Sequence, residues 1–180
     1  MIWHLDEPQA DLAPLNVSSI CRIAKDMGIK VLLGGAGGDD IFSGYRRHQA
    51  AILNYKLRFL PKKVLKLFSS LFKELPSNNK SFRRIKKLTK DWGKTEEETL
   101  LGYFSWFDSN KNLTKIFSES SLPEIRKFDP YRYGKRVFKN LNKLSRIDKL
   151  LVLEQNTFLV DHNLNYTDKL SMMEGVEVRV

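Results

Sequence analysis

Two adjacent carboxylates, Asp39 and Asp40, directly follow a run that is rich in glycine. The glycines of this run are Gly34, Gly35, Gly37 and Gly38. Because glycine has no side chain, such a run lets the backbone approach an anion closely, and the amide hydrogens at the start of a following helix attract phosphate. The carboxylates would repel a bare phosphate, so phosphate binding here requires Mg²⁺ between them. The pattern predicts a phosphate site, with Asp39 and Asp40 as metal ligands.

Spacing alone leaves another interpretation of this glycine-rich run open. The run is not a Walker loop, which needs a Lys-Ser/Thr pair after the glycines, and it lacks the spacing of the dinucleotide fingerprint. Asp39 also suits an N-cap of the following helix, in which case the glycines only form a tight turn. Histidines are far apart in sequence and show no metal-ligand spacing: His4, His48 and His162.

A strand and two helices are predicted to position the glycine-rich run. Asp11 is suited to cap a helix over residues 12–27, and Gly28 is suited to end it. Apolar residues at helical spacing predict the buried face of this helix: Leu12, Leu15, Ile20, Ile23, Ala24 and Met27. The apolar run 29–33 predicts a buried strand of a parallel sheet. Between residues 41 and 59, apolar and aromatic positions recur every three or four residues and predict one continuous helical stripe.

The middle of the chain is basic, and its pattern is helical. Residues 52–150 hold 24 Lys+Arg against 10 Asp+Glu, although the whole chain has a formal net charge of only +10. From 61 to 144 the pattern predicts amphipathic helices and no further strand, and Thr95 followed by Glu98 resembles a capping box. Several cations recur at helical intervals among apolar residues, as on the solvated outer faces of helices: Lys62, Lys63, Lys66, Lys86, Lys87, Arg126 and Lys127. The residues therefore predict a mostly helical fold with one or few strands.

Length and composition favour one cytoplasmic domain. The 180 residues are 42% hydrophobic, which is enough for one buried core. No apolar run approaches the roughly 18 to 20 residues that span a bilayer, so no membrane partner is predicted. The first residues carry carboxylates where a signal peptide would be basic and then apolar. Cys21, the single cysteine, has no disulfide partner within the chain and is predicted to be a core residue.

Both ends of the chain resemble the asparagine synthetase family. Residues 31–45 match its pattern of an apolar strand followed by G-x-G-G-D-E-x-F-x-G-Y, and residues 6–11 resemble the segment that precedes this pattern. Near the other end, residues 156–161, 168–172 and 175–180 resemble the family motifs T-x-L-x-D, D-[KR]-x-S-M and E-x-R-V-P-F. No family motif matches the basic middle.

This resemblance implies a doubly wound α/β domain of the adenine nucleotide alpha hydrolase type, with a parallel sheet. In this family ATP adenylates a substrate carboxylate, and ammonia from a glutaminase domain displaces AMP. By position in the motifs, Asp39 resembles the carboxylate that meets Mg²⁺ and pyrophosphate, and Lys169 resembles the catalytic cation beside the phosphates. A metal and a fixed ammonium suit this role, because both stabilise charge on a leaving pyrophosphate. ATP and Mg²⁺ are thus the implied cofactors.

The sequence departs from the family pattern at several points. Asp40 stands where the family usually has Glu, and Ala36 stands where glutamine-dependent members often carry an acidic residue, so an acceptor other than aspartate is an alternative. No run resembles the nucleotide loop S-G-G-x-D-S or the glutaminase nucleophile. We therefore expect residues 1–180 to be a partial synthetase domain that binds ATP weakly and is inactive by itself. In the complete enzyme, Asp39 and Lys169 are expected to converge on one pocket.

Other functions and roles remain as alternatives. The basic middle suggests a nucleic-acid-binding module, which would act through counterion release, although the helical spacing of its cations makes nucleic acid the less favoured partner. A third interpretation has the basic helices dock an acidic protein partner or the rest of the same enzyme. Lys169 has the alternative of pairing with Asp168 or Glu174, and Glu177 and Arg179 of forming an ion pair on a closing strand. The oligomeric state stays open.

Overall fold

The chain contains two compact units. The structure, a computed structural model, describes residues 1–7, 9, 11–74, 76, 79–104 and 116–180. Unit 1 comprises Met1–Tyr45 and Leu151–Val180, and unit 2 comprises Arg46–Leu150. The assignment of residues 1–180 to one partial domain stays a prediction. In the described part of the chain, each helix is too short or too polar to cross a lipid bilayer.

Helices dominate both units. In chain order they are α1 (Ala13–Asp26), α2 (Gly38–Phe42), α3 (Arg46–Lys56), α4 (Lys62–Lys73), α5 (Lys80–Thr89), α6 (Glu96–Gly102), α7 (Leu122–Lys127), α8 (Arg132–Lys139), α9 (Arg146–Asn156) and α10 (Asn165–Glu174). Short 3₁₀ turns span Ile2–His4 and Leu57–Phe59, and a π-helix spans Leu159–Leu164. The strands are β1 (Val31–Leu33) and β2 (Glu177–Arg179). The described residues between 61 and 144 contain no strand, which confirms the predicted helical character.

The strands of unit 1 join its two chain segments. β1 and β2 pair in parallel, with Leu32 opposite Val178. One small core lies beneath them and is formed by Cys21, Ala24 and Val176. Burial raises the pKa of the Cys21 thiol, and the nearby Glu174 carboxylate raises it further. Cys21 is therefore a protonated core residue, as predicted.

Helix α1 buries a different face from the predicted one. Its larger apolar residues are 48 to 72% exposed: Leu12, Leu15, Ile20, Ile23 and Met27. Of the predicted residues only Ala24 is buried, and it lies with the buried Pro14, Ser18 and Cys21 on the helix, which packs against α10. Small side chains let two helix backbones approach closely. This face therefore packs against α10 although it is less apolar than the exposed one.

The ends of α1 agree more closely with the sequence analysis. The Asp11 carboxylate accepts the amide hydrogen of Ala13 at 3.1 Å, but Leu12 is the N-cap, so the helix begins one residue later than predicted. Gly28 has a left-handed φ of 76°, as expected for the residue that ends such a helix.

Strand β1 is present, but the prediction that it is buried is wrong. Val31 is 43% and Leu33 is 88% exposed, and only Leu32 packs against the core. A strand alternates its side chains between two faces. In the described residues β1 pairs only with β2, and the face that carries Val31 and Leu33 is left exposed.

The predicted continuous helical stripe over residues 41–59 is also wrong. α2 ends at Phe42, and Ser43 then has a left-handed φ of 65°, which interrupts the helix. Gly44 lies so close to the Asp39 side chain that no larger residue would fit there without a shift. α3 begins only at Arg46, which places His48 in the interior of unit 2 and leaves Phe59 76% exposed.

Unit 2 has an apolar core between α6, α8 and the start of α9. Its buried residues include Leu100, Leu101, Phe138, Leu141 and Leu150. Gly134 of α8 lies against the Leu101 side chain, where a Cβ would meet Leu101 Cδ2 at 2.6 Å. Gly134 therefore allows the close approach of α6 and α8.

Polar contacts of unit 2 include the predicted capping box. The Thr95 hydroxyl accepts the Glu98 amide hydrogen at 3.2 Å, and the Glu98 carboxylate accepts the Thr95 amide hydrogen at 2.9 Å. Helix α6, which begins after this capping box, ends at Gly102. The Trp92 indole donates to the Asn54 side chain at 2.6 Å, which in turn donates to the Tyr103 hydroxyl at 2.7 Å.

Candidate functional site

The glycine-rich run connects β1 to α2, and its four glycines differ in what surrounds them. A Cβ on Gly34 would lie 3.1 Å from Val178 Cγ1, and Gly37 has a left-handed φ of 87°. These two positions favour glycine for structural reasons. Gly35 and Gly38 have no other atom within 4 Å of a Cβ position, so the backbone there is open to a ligand.

The two adjacent carboxylates of α2 point into different surroundings. Asp39 is exposed, whereas Asp40 is completely buried. The Asp40 carboxylate accepts hydrogen bonds from the Tyr45 hydroxyl at 3.2 Å and from the Asn163 side-chain amide at 3.2 and 3.4 Å. Asn163 also donates to the Tyr45 hydroxyl at 3.1 Å. Asp40 thus belongs to a buried polar network, and its predicted role as a metal ligand stays a prediction.

The π-helix Leu159–Leu164, which begins within the segment that matches T-x-L-x-D, lies beside the glycine-rich run. Leu159 lies beside Gly37, and the Phe158 ring meets Tyr45 edge to face at a centroid distance of 6.2 Å. Asn163 is buried near the end of the same π-helix. π-helical turns are frequent at functional sites because they re-aim side chains locally. Two motifs that are far apart in sequence therefore form one structural site.

Aromatic and acidic groups extend this site along α10. The His162 ring stacks on Phe158 at 4.7 Å and meets Tyr166 edge to face at 5.2 Å. His162 Nε2 lies 3.6 Å from the Asp11 carboxylate. Burial raises the pKa of the Tyr166 hydroxyl, and the negative charges of Asp11 and Asp40 raise it further. Tyr166 therefore remains a neutral hydroxyl at physiological pH.

Lys169 projects from α10 and pairs with the N-terminal segment. Its ammonium lies 2.6 Å from the Asp6 carboxylate, and its side chain is 32% exposed. The alternative partner Glu174 instead contacts Arg22 at 3.1 Å and Lys25 at 4.0 Å. The convergence of Lys169 with Asp39 on one pocket stays a prediction.

The closing strand carries an ion pair, in agreement with the structural alternative for its charged residues. Arg179 Nε donates to the Glu177 carboxylate at 2.8 Å on the exposed face of β2. This hydrogen bond lowers the pKa of Glu177 and raises that of Arg179. Both charges thus neutralise each other on the strand.

The described residues contain no group of three or more His, Cys, Asp and Glu side chains placed to hold a metal. Asp39 alone still fits Mg²⁺, because this ion is commonly held by one or two carboxylates together with phosphate oxygens and water. A cavity of about 400 Å³ in unit 1 lies elsewhere, where Gly28 and Gly175 precede the strands. It is at the opposite end of the strands from the glycine-rich run.

Sequence reasoning missed two members of this site. Asn163 lies two positions after the T-x-L-x-D match, and its pairing with Asp40 spans 123 positions, so no local spacing indicated it. Asp6 belongs to the segment that resembles the family upstream of the glycines, but its contact with Lys169 was not expected. Only the shared family resemblance of both regions offered a signal for these contacts.

One curated relative resembles the chain along its whole length, and others resemble part of it. The asparagine synthetase [glutamine-hydrolyzing] 1 of Bacillus subtilis is 25% identical over 185 residues, which cover 100% of this chain and 27% of that protein. Putative asparagine synthetases [glutamine-hydrolyzing] of Mycobacterium bovis and Mycobacterium tuberculosis are 33% identical over 76 residues, or 42% of this chain and 12% of theirs.

The chain thus spans no more than 27% of the length of these curated relatives. No solved structure is significantly similar to it. The family model for asparagine synthase matches residues 1–180. The chain therefore belongs to the asparagine synthase family.

Proposed function

We propose that this chain forms part of the synthetase domain of an ATP-dependent amidotransferase. The enzyme adenylates a carboxylate, either aspartate or a related acceptor, and transfers glutamine-derived ammonia to it with release of AMP and pyrophosphate. Its expected partners are ATP, the carboxylate substrate and a glutaminase domain of the same enzyme, and its expected location is the cytoplasm. One observation carries the proposal: Asn163, in the π-helix that begins within the T-x-L-x-D match, donates to Asp40 beside the glycine-rich run.

The position of the glycine-rich run supports a phosphate-binding role. The run begins where β1 ends, and Gly34 N donates to the Arg179 carbonyl at the end of β2 at 2.7 Å. Open α/β folds bind ligands at the carboxyl ends of parallel strands, and the proposal includes a doubly wound sheet of which β1 and β2 are members. The open backbone at Gly35 and Gly38 would then face the phosphates.

Asp39 is the residue that we assign to the metal. Its carboxylate is exposed at the start of α2, whereas that of Asp40 is occupied by Tyr45 and Asn163. Mg²⁺, when bound, would neutralise charge on the phosphates, and Asp39 would hold it with one carboxylate while phosphate oxygens and water complete the shell. In this proposal Asp40 keeps α2, and with it Asp39, in place.

In this proposal Lys169 binds the leaving pyrophosphate, and Asp6 positions the Lys169 ammonium. The 2.6 Å contact with Asp6 holds the ammonium at a defined point while leaving it partly exposed. An ammonium offers three donors, so Lys169 can bind a phosphate oxygen and exchange or retain the Asp6 carboxylate. A preorganised cation of this kind stabilises the charge that develops on the leaving group.

Substitutions in the natural full-length protein test these assignments. Asp39→Asn removes the charge that holds Mg²⁺ while keeping the side-chain shape, and Lys169→Ala removes the cation. Each should lower substrate-dependent pyrophosphate release by about 10²-fold, because one lost preorganised electrostatic partner costs roughly 3 kcal/mol of barrier. Asp6→Asn should have a smaller effect than Lys169→Ala. Glutamine hydrolysis, measured separately, should remain.

A matched control removes surface charges elsewhere. Lys127 and Lys143 are exposed in unit 2, and their joint replacement by alanine should change pyrophosphate release by no more than about twofold. If Asp39→Asn had no effect while this control pair abolished the reaction, the proposed site would be in the wrong place.

A further inference from the structure

A groove of about 750 Å³ in unit 2 lies between α4 and α5, which pack against each other. Its lining includes six cationic side chains: Lys66, Lys73, Arg83, Lys86, Lys87 and Lys90. The hydroxyl-bearing residues Ser69 and Ser70 lie between the two α4 lysines in sequence and also line it. Helical spacing alone predicts Lys66, Lys86 and Lys87 as solvated charges on outer helix faces, but they line one concave surface.

Helical spacing explains why these cations face the same groove. Lys66 and Lys73 are seven positions apart on α4, which is about two turns. On α5, Arg83 is followed four positions later by Lys87, and Lys90, the C-cap residue of the helix, comes three positions after that, so the three share one face. Each helix therefore presents cations on one face, and the contact between the helices brings these cations to one groove.

Most of the groove's positive charge has no carboxylate counterpart among the described residues. Lys66, Lys73, Arg83, Lys87 and Lys90 form no ion pair with any carboxylate among the residues that the structure describes. Among the described residues of the lining, Asp91 is the one carboxylate; it is 5% exposed and is already paired with Lys94 at 2.7 Å. Like charges this close repel one another, so an anion in the groove would relieve a repulsion that the folded chain otherwise bears.

We propose that this groove binds a small polyphosphate anion. Phosphate groups suit it because Lys and Arg donate charge-assisted hydrogen bonds to phosphate oxygens, and a serine hydroxyl adds a neutral donor. The volume of about 750 Å³ is that of a small-molecule site. This site goes beyond the proposed synthetase reaction, which uses residues of unit 1.

A single strand of nucleic acid is a less suitable occupant. Proteins that bind single strands place aromatic rings under successive bases. Among the described residues of the groove lining, Tyr103 is the one aromatic residue, and its hydroxyl is held by Asn54 at 2.7 Å. The described lining therefore offers dense positive charge without a stacking platform, which favours a compact anion.

Calorimetry with inorganic tripolyphosphate tests the proposal on the chain at about 0.15 M salt, where long-range surface electrostatics are screened. The triple variant Lys73→Ala, Arg83→Ala and Lys87→Ala removes three groove cations. It should weaken binding at least tenfold, because losing even one hydrogen bond to a charged group typically costs about this factor. A control variant removes the same charge from outside the groove: Lys63→Ala, Lys127→Ala and Lys143→Ala.

The control triple variant should bind tripolyphosphate within about twofold of the unchanged chain, since solvated charges contribute little. Circular dichroism of both variants verifies that the helices are retained. Equal weakening by both triple variants would overturn the proposal, because binding would then depend on net charge alone. Undetectable binding of tripolyphosphate, or tighter binding of duplex DNA or polyglutamate in parallel titrations, would also overturn it.

Discussion

The two units neutralise their charged side chains in different ways. In unit 1, ion pairs join residues from opposite ends of the chain: Arg22 contacts Glu174, and Lys169 contacts Asp6. The buried Asp40 carboxylate likewise accepts from Asn163, 123 positions away. The polar groups of unit 1 therefore connect its two chain segments, and the placement of the candidate site depends on each of them.

Unit 2 relies more on local pairs, and five of the six groove cations, all except Lys86, have no carboxylate partner among the described residues. Ion pairs among the described residues of this unit include Lys94 with Asp91, Lys135 with Asp129 and, over a longer interval, Lys149 with Glu96. Charged side chains therefore hold the two chain segments of unit 1 together, whereas several cations of unit 2 stay available to solvent ions or a ligand. Substitutions should therefore affect the two units unequally.

The largest effect is expected for Asp40→Ala in unit 1. The change removes the acceptor for the Tyr45 hydroxyl and the Asn163 amide in a site without solvent exposure. A buried donor without a partner costs about 1 to 3 kcal/mol, so the free energy of unfolding should fall by about 2 kcal/mol. Urea denaturation measures this difference.

The neighbouring residue provides the control for this prediction. Asp39 is exposed, and Asp39→Ala should change the free energy of unfolding by no more than about 0.5 kcal/mol. Equal losses for the two variants would mean that the buried network does not distinguish them. The buried hydrogen bonds of Asp40 would then contribute no more to the stability of unit 1 than an exposed carboxylate does.

The contrast between Asp39 and Asp40 also shows how much of the candidate site can be predicted from the sequence. Adjacent carboxylates after glycines indicated a metal site with both as ligands, and periodicity has no means to separate an exposed residue from a buried one. The difference depends on Asn163, which reaches Asp40 only after the π-helix has folded beside the glycine-rich run. Long-range hydrogen bonds of this kind leave no local spacing.

Helix α1 shows a second limit of sequence reasoning. Its existence and its C-terminal Gly28 followed from local chemistry, and so did the Thr95 capping box of α6, because these features involve residues within one or two turns. The choice of buried face did not follow, since the small residues of α1 meet α10 while the larger apolar residues stay exposed. Hydrophobic spacing identifies stripes, but the shape of the partner decides which stripe is covered.

An intermediate effect is expected for the local polar contacts of unit 2. Thr95→Ala removes the acceptor for the Glu98 amide hydrogen and should lower the free energy of unfolding by about 1 kcal/mol. The contribution of Glu98 should depend on pH, because hydrogen bonds from Thr95 lower the pKa of its carboxyl below 4.5. A lowered pKa in the folded state stabilises the fold above the unfolded pKa, and this gain is lost as pH falls through the folded value.

Denaturation of Glu98→Gln across pH provides the measurement. The difference in stability between the unchanged chain and Glu98→Gln should be largest near neutral pH and should shrink below pH 4.5. A difference that stayed constant or grew on acidification would contradict the assigned role of the ionised carboxylate.

The smallest effect is expected in the groove, and its sign distinguishes the cations there from a paired lysine of the same unit. Lys87 has Arg83 four positions before it and Lys90 three positions after it, so Lys87→Gln relieves repulsion and should raise the free energy of unfolding by a few tenths of a kcal/mol at low salt. Gln and Lys have similar helix propensities, so propensity does not obscure the result.

Lys135→Gln should instead lower stability, because Lys135 donates to Asp129 at 2.7 Å and lowers the pKa of that carboxyl. Both changes should fade near 1 M salt, where the screening length is about 3 Å. Tripolyphosphate should reverse the sign for Lys87→Gln alone, since a ligand that binds only the folded chain stabilises the unchanged groove more; a loss of stability for Lys87→Gln at low salt without this anion would show that Lys87 is balanced within the protein.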